Sequence, residues 1–169
     1  GEIFEPRWRK FADLVAEHRT EQVIVWVTFD YEGDQLVTQL AERGIEAVHL
    51  SGKVPVPKRR KIIESFAEGG APNVLILKPA MFAMGLNMQA CTVQVFSSVH
   101  DSFERFFQCI RRSWRFGQDR PVRIFVPLTQ LDQAINDRGV LVDLESIEHV
   151  RVLIAEYKAQ LAAQCREMT

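Results

Sequence analysis

Apolar residues recur at helical spacing from Ile3 to Arg19, where Phe4, Trp8, Phe11, Leu14 and Val15 would share one face. The period then changes. "VIVWVTF", Val23 to Phe29, is a continuous, β-branched-rich run of the kind buried on both faces of a parallel sheet. Helical spacing returns from Asp30 to Arg43 through Leu36, Val37 and Leu40, and Gly44 ends it. "EAVHL" (Glu46 to Leu50) predicts a second strand closed by Ser51-Gly52. Lys58 to Glu68 reads as a helix stopped by Gly69-Gly70, and "NVLIL" (Asn73 to Leu77) as a third strand. "TVQVFSS" (Thr92 to Ser98) gives a fourth strand, Ser102 to Phe116 a helix and "VRIFV" (Val122 to Val126) a fifth strand. Leu141 to Glu167 is a long amphipathic stretch, read as a helix packed back on the domain, with a brace against another domain as the alternative.

Short apolar strands alternating with helices predict an α/β domain built on a parallel sheet. Such sheets bind ligands beyond the carboxyl ends of their strands, which directs attention to the loops after Phe29, Leu50, Leu77 and Ser98.

Composition narrows the class. The chain has 169 residues, enough for one domain with a helical appendage. Its 47% hydrophobic and 25% charged residues are ordinary globular values. A net charge of −1 means that any site for a polyanion is a local patch. The three cysteines, Cys91, Cys109 and Cys165, are odd in number and lack CxxC spacing, so neither a disulfide framework nor a zinc site is expected. That usage fits a reducing, cytoplasmic setting. The longest aliphatic run is far too short to span a bilayer, so no membrane partner is expected. The start at Gly1 instead of Met leads us to expect a processed or excised piece.

Against that neutral background "QCIRRSWRFGQDRPV", Gln108 to Val122, gathers four arginines closely. On a helix, Phe103, Phe107, Ile110 and Trp114 form one apolar stripe. Gln108, Arg112 and Arg115 form a second stripe beside it, with Arg111 off that edge. A solvated basic face is the plain alternative. Glu104 is the nearest acid within the helix, and guanidinium forks suit phosphate oxygens. "PKRRK", Pro57 to Lys61, places further cations at a helix start, where a bound phosphate would offset their unfavourable interaction with the helix dipole. In "MGLNMQ", Met84 to Gln89, Gly85 permits close backbone approach and Asn87 can donate and accept, while Met81 and Met88 read as core filler. The scattered histidines, His18, His49, His100 and His149, suggest no catalytic role.

In this order the segments resemble the second RecA-like lobe of superfamily two helicases and translocases, most of all the Swi/Snf-type branch and the helicases of phages and mobile elements. "VIVWVTFDYEGDQL" looks like motif IV, and "HLSG" with "KRRKIIESFAEG" like the following strand, turn and helix, with Arg59 in the arginine place. "VLILKPAMFAMGLNMQ" looks like motif V. "SFERFFQCIRRSWRFGQDRPVRIF" looks like motif VI, in which Gln108, Arg112, Arg115, Gly117 and Gln118 fill the pattern Q-x-x-x-R-x-x-R-x-G-Q.

The resemblance implies a RecA-like parallel sheet over residues 21–128, a lead-in helix over 1–20 and a helical extension over 129–169. It also implies a half-site, with ATP and Mg2+ held mainly by a first RecA-like lobe of the same parent chain. Arg112 and Arg115 would be arginine fingers for the β- and γ-phosphates, and Gln108 would orient an arginine. Gly85, Asn87 and Gln118 would lie along the nucleotide cleft. Arg59, Lys78, Ser51 and Gly52 would meet nucleic acid, DNA by the "RFGQ" ending. Two departures stand out. Lys78-Pro79 replaces the usual Ser-Thr after the third strand. No G-x-x-x-x-G-K-[ST] loop is present either; the nearest approach, "AVHLSGKV", has Ala47 and Val54 at defining places. The expectation is therefore a motor lobe that is inactive alone. The alternatives are a non-enzymatic nucleic-acid-binding or protein-interaction module on the same fold, and an unrelated nucleotide-binding domain, which the lack of G-x-G-x-x-G after any strand disfavours.

Overall fold

Alternation along single strands decides how this fold is layered. In a computed structural model, which describes residues 5–79, 87–97, 108–113, 118–120 and 122–125, helix α1 spans Glu5–Glu17 and strand β1 spans Val23–Trp26. There follow α2 (Asp30–Ala41), β2 (Ala47–His49), α3 (Val56–Ala67), β3 (Val74–Leu77), β4 (Val93–Phe96) and β5 (Arg123–Phe125). The strands form one parallel sheet in the order β2-β3-β1-β4-β5. Ile24 and Trp26 point to one face, where they pack with Leu75, Leu77, Phe66, Cys109 and Ile110. Val23, Val25 and Val27 point to the other, among Ala12, Val15, Leu36 and Leu40 of α1 and α2. The continuous apolar run of β1 is thus two cores read alternately, as the RecA-like expectation requires.

Local chemistry fixes the ends of the helices. The Glu32 carboxylate accepts the backbone N–H groups of Thr28 (3.0 Å) and Phe29 (2.8 Å), half of a capping box that starts α2. Gly44, at φ 71°, ends it in the left-handed region that glycine enters without strain. α3 starts at Val56 rather than Lys58, because Pro57 in the first turn has no N–H to leave unsatisfied. Arg60 and Lys61 therefore fall beyond the first turn, further along than the sequence pattern placed them.

The helix expected over Ser102 to Phe116 is seen in part. Gln108 to Ile110 are helical, then the chain tightens: Arg112 N bonds Cys109 O (3.1 Å) and Ser113 N bonds Ile110 O (3.2 Å), three residues back in each case. Gly85, Arg115, Gly117, His100, Cys165 and the stretch Leu141 to Glu167 lie outside the described residues. No described helix is long and apolar enough to cross a membrane.

Candidate functional site

The expected site residues fall on two opposite edges of the sheet. Ser51, Gly52 and Lys78 follow the carboxyl ends of β2 and β3, and Arg59 lies in the first turn of α3. Asn87 lies ahead of β4, and Gln118 ahead of β5, beside the amino ends. Arg112 belongs with them, since its carbonyl accepts the N–H of Met88 at 2.8 Å.

The carboxyl edge is a charged cluster assembled from three elements. Lys78 Nζ, after β3, sits 3.0 Å from Oδ1 of Asp30, the first residue of α2. The Lys78 hydrogen bond is the main reason that the Asp30 carboxyl lies below its ordinary value of 3.8, with the charges of Lys78, His49 and Lys53 adding to it against desolvation. His49 ends β2 with a buried ring. Its Nδ1 is 3.0 Å from Asp34 Oδ1, and its Nε2 is 3.8 Å from Asp30 Oδ1. A carboxylate only accepts, so Nδ1 carries the proton. The ring fills the space over Gly33, where a Cβ would come within 2.6 Å of its atoms. Asp30 and Asp34, one turn apart on α2, flank this ring.

The other expected residues on this edge shape its loops. Ser51 is buried, and its Oγ accepts the N–H of Lys53 at 3.3 Å. Arg59 is half-buried and donates through Nη2 to Val54 O at 3.0 Å, holding the loop that leads into its own helix. Gly52 is exposed, with nothing within 4 Å of a Cβ built there, so packing does not require glycine. Phe29 and Tyr31 stand exposed beside Asp30.

The amino edge is built from amides. Gln118 Nε2 donates to Gln89 O and Ser113 O, each at 2.8 Å, while its Oε1 accepts Arg120 N at 3.2 Å. Arg120 Nη2 donates to Gln89 O and Ala90 O, each at 2.9 Å. Asn87 is exposed and turns its Oδ1 onto Gln89 N at 3.2 Å. Arg112 is buried, with Nε donating to Gln108 O at 3.0 Å; Gln108 and Arg111 are half-buried.

Beneath this edge lies Gln94, fully buried in the middle of β4. Its Oε1 accepts the indole N–H of Trp26 at 2.9 Å. Its Nε2 donates to Cys109 O (3.0 Å) and Ser113 Oγ (2.8 Å). One carboxamide thereby ties β1, β4 and the arginine turn together. The signal was visible as the single polar residue inside the apolar run "TVQVF". Both described cysteines are free and buried, and burial pushes the Cys91 thiol up to about 12, which leaves it inert. Among the described residues no three His, Cys, Asp or Glu side chains are grouped to hold a metal ion.

Comparison with known proteins places this geometry in context. The family described as the helicase conserved C-terminal domain matches residues 7–117. The mouse DNA repair and recombination protein RAD54B is 26% identical over 151 residues, covering 82% of this chain and 17% of the relative. The human SWI/SNF-related matrix-associated actin-dependent regulator of chromatin subfamily A member 1 is 29% identical over 102 residues, covering 58% of this chain and 9% of the relative. The chain therefore spans less than a fifth of either. Among solved structures, the C-terminal domain of the DEAD-box protein Dbp5 superposes with a TM-score of 0.58 at 18% identity, covering 86% of this chain and 89% of that domain. That likeness concerns the fold.

Proposed function

The chain belongs to the helicase conserved C-terminal domain family, and we propose that it is the second motor lobe of an ATP-dependent DNA helicase or translocase. Its kinship is with the Swi/Snf-type branch of superfamily two, and the partner that the family implies is a first lobe in the parent chain. The observation that carries the reading is the Met88–Arg112 backbone bond, braced by Gln118 and Arg120 on Gln89 and Ala90. It couples the segment that ends motif V to the arginine turn of motif VI.

A nucleotide fits the donor set on this side. Guanidinium and carboxamide N–H donors suit phosphate oxygens. Arg112, with Arg115, would meet the β- and γ-phosphates of ATP held by the first lobe, which would also hold Mg2+. Gln108 would orient an arginine, while Gly85, Asn87 and Gln118 would border the cleft. ATP supplies the phosphoanhydride bond whose hydrolysis reopens the cleft between the lobes. On the opposite edge Lys78, Arg59, Ser51 and Gly52 would follow the phosphates of DNA. Nucleotide and nucleic acid would thus occupy different edges of one rigid sheet.

The test is ATP turnover by the intact parent, with and without DNA, beside Arg112→Ala and Arg112→Lys. An arginine finger contributes about 10³- to 10⁵-fold in rate, so both variants should lose DNA-stimulated turnover on that scale while still binding DNA. Unchanged turnover would remove Arg112 from the chemistry. The isolated chain should show no ATP hydrolysis.

A further inference from the structure

The large apolar side chains that stand exposed among the described residues all lie on the carboxyl edge. They are Phe29 (56%), Tyr31 (53%) and Val56 (59%), at the starts of the two helices that follow β1 and β2. Elsewhere the described aromatic side chains pack: Trp8, Trp26, Phe66 and Phe96 are all buried. Phe29 and Tyr31 instead lie against each other, with ring centroids 5.7 Å apart and planes 10° from parallel. That separation leaves no room for a third ring between them, so the pair, with each residue more than half exposed, acts as one surface.

Charge decides what this surface suits. Asp30, the residue between the two rings, is bonded to Lys78 and lies within the field of Lys53. Exposed Lys58 lies in the first turn of α3 on the same edge, with exposed Arg60 just beyond it. Cations beside a flat, half-exposed aromatic pair are the combination that takes a nucleotide from an unpaired strand, with phosphate to the cations and base to the ring. A duplex would satisfy the cations only, because its base faces are already stacked on one another. A protein partner would more often bury such rings against apolar side chains, with no need for the cations.

We propose that Phe29 and Tyr31 form a stacking platform for one unpaired base, beside a phosphate contact at Lys78. This rests on the reading of the carboxyl edge as a nucleic-acid track, and extends it from phosphates to a base. It makes single-stranded DNA, or a strand locally opened from duplex, the form gripped at this edge.

The experiment is fluorescence anisotropy of the full chain at low and moderate salt, with a labelled oligothymidylate and an abasic strand of equal length and charge. The wild-type chain should bind oligothymidylate about tenfold more tightly than the abasic strand. Phe29→Ala and Tyr31→Ala should bring oligothymidylate down to the abasic level and leave abasic binding unchanged, while Tyr31→Phe should retain the preference. Lys78→Ala should weaken both strands alike and flatten the salt dependence. Equal wild-type binding to the two strands, still sensitive to Lys78→Ala, would overturn the platform and leave the phosphate track standing. So would equal losses on both strands in Phe29→Ala. No binding to either strand would overturn both. Circular dichroism of each variant separates these outcomes from misfolding.

Discussion

The two edges of the sheet solve different problems. On the amino edge three side chains are used internally: Gln118, Arg120 and Gln94 direct their donors to backbone carbonyls and a serine hydroxyl. The carboxyl edge leaves charge and aromatic surface in contact with water, with Asp30 48% exposed and its partner Lys78 28% exposed. Gln94, Gln118 and Arg120 thus hold the frame around the arginine turn, whereas the carboxyl edge presents its charge and rings to water. In physical terms, a buried hydrogen bond is expensive to break because the orphaned partner cannot turn to water, whereas an exposed ion pair exchanges with water or a ligand at little cost.

That contrast is most sharply tested at Gln94. In Gln94→Leu the shape is nearly kept, but the Trp26 indole N–H loses its buried partner, while the Cys109 carbonyl keeps only the Arg112 N–H and the Ser113 hydroxyl keeps only its contact with Cys91. The orphaned indole costs about 1–3 kcal/mol and each bond lost by a group that keeps another partner about 0.5–1.5 kcal/mol, and neighbouring losses are not fully additive, so the total should be about 2–4 kcal/mol. Urea unfolding followed by tryptophan fluorescence would measure it. A loss below about 1 kcal/mol would mean that the network is slack and that the two edges do not differ in this way.

Gly33 is the place where the carboxyl edge becomes as tight as the other. A glycine inside α2 gives up about 1 kcal/mol of helix propensity relative to alanine, so Gly33→Ala would stabilise an isolated helix. Here the added Cβ meets the His49 ring at 2.6 Å, and the ring is held between Asp30 and Asp34. The clash should win, giving a net loss of about 1–3 kcal/mol in thermal or urea unfolding. Gly33→Ala in a His49→Ala background should reverse sign, because the obstacle is gone. Equal effects in both backgrounds would show that the ring moves aside easily.

The core was legible where the pattern is local. Apolar runs marked all five strands, and Gly44 marked the end of α2 through its positive φ. Strand order was not legible in the order of the runs: β3 inserts between β1 and β2, although the half-buried β2 and the partly exposed β5 carry the pattern of edge strands. The expectation that ligands bind beyond the carboxyl ends directed attention to the loops that hold Ser51, Gly52 and Lys78. It passed over a consequence of its own topology. A chain that leaves β4 at the carboxyl edge must run back before β5, so Arg112 and Gln118 emerge at the amino edge. The His49 cluster was also hidden, because Asp30 and Asp34 share a helical face only in relation to a strand end brought there by the sheet. Gln94 could have been flagged, since a polar residue inside an apolar strand needs partners.

The smallest expected effect lies on the exposed side and carries a sign that can be checked. Asp30 is depressed below 3.8 in the folded chain, chiefly by the Lys78 hydrogen bond. A carboxyl whose folded value is lowered contributes stability above its unfolded value and loses it as pH falls through the folded one. The Asp30 contribution is therefore complete at neutral pH and disappears below about pH 4. Half-exposed and screened, the pair should contribute less than about 1 kcal/mol, so Asp30→Asn should barely shift unfolding at pH 7 and should reduce the loss of stability on acidification. The same substitution should act in the opposite direction on ligand binding. Without the carboxylate, Lys78 has no competitor for a phosphate. Binding of single-stranded DNA should tighten several-fold, and Lys78→Ala in the same background should still flatten the log–log salt slope by about 0.7, the release of one counterion. Tighter binding that survives Lys78→Ala with an unchanged slope would mean that Asp30 acts by general repulsion and that Lys78 meets no phosphate. A stability loss of several kcal/mol would mean that the carboxyl edge, like the amino edge, uses its polar groups to hold its own structure together.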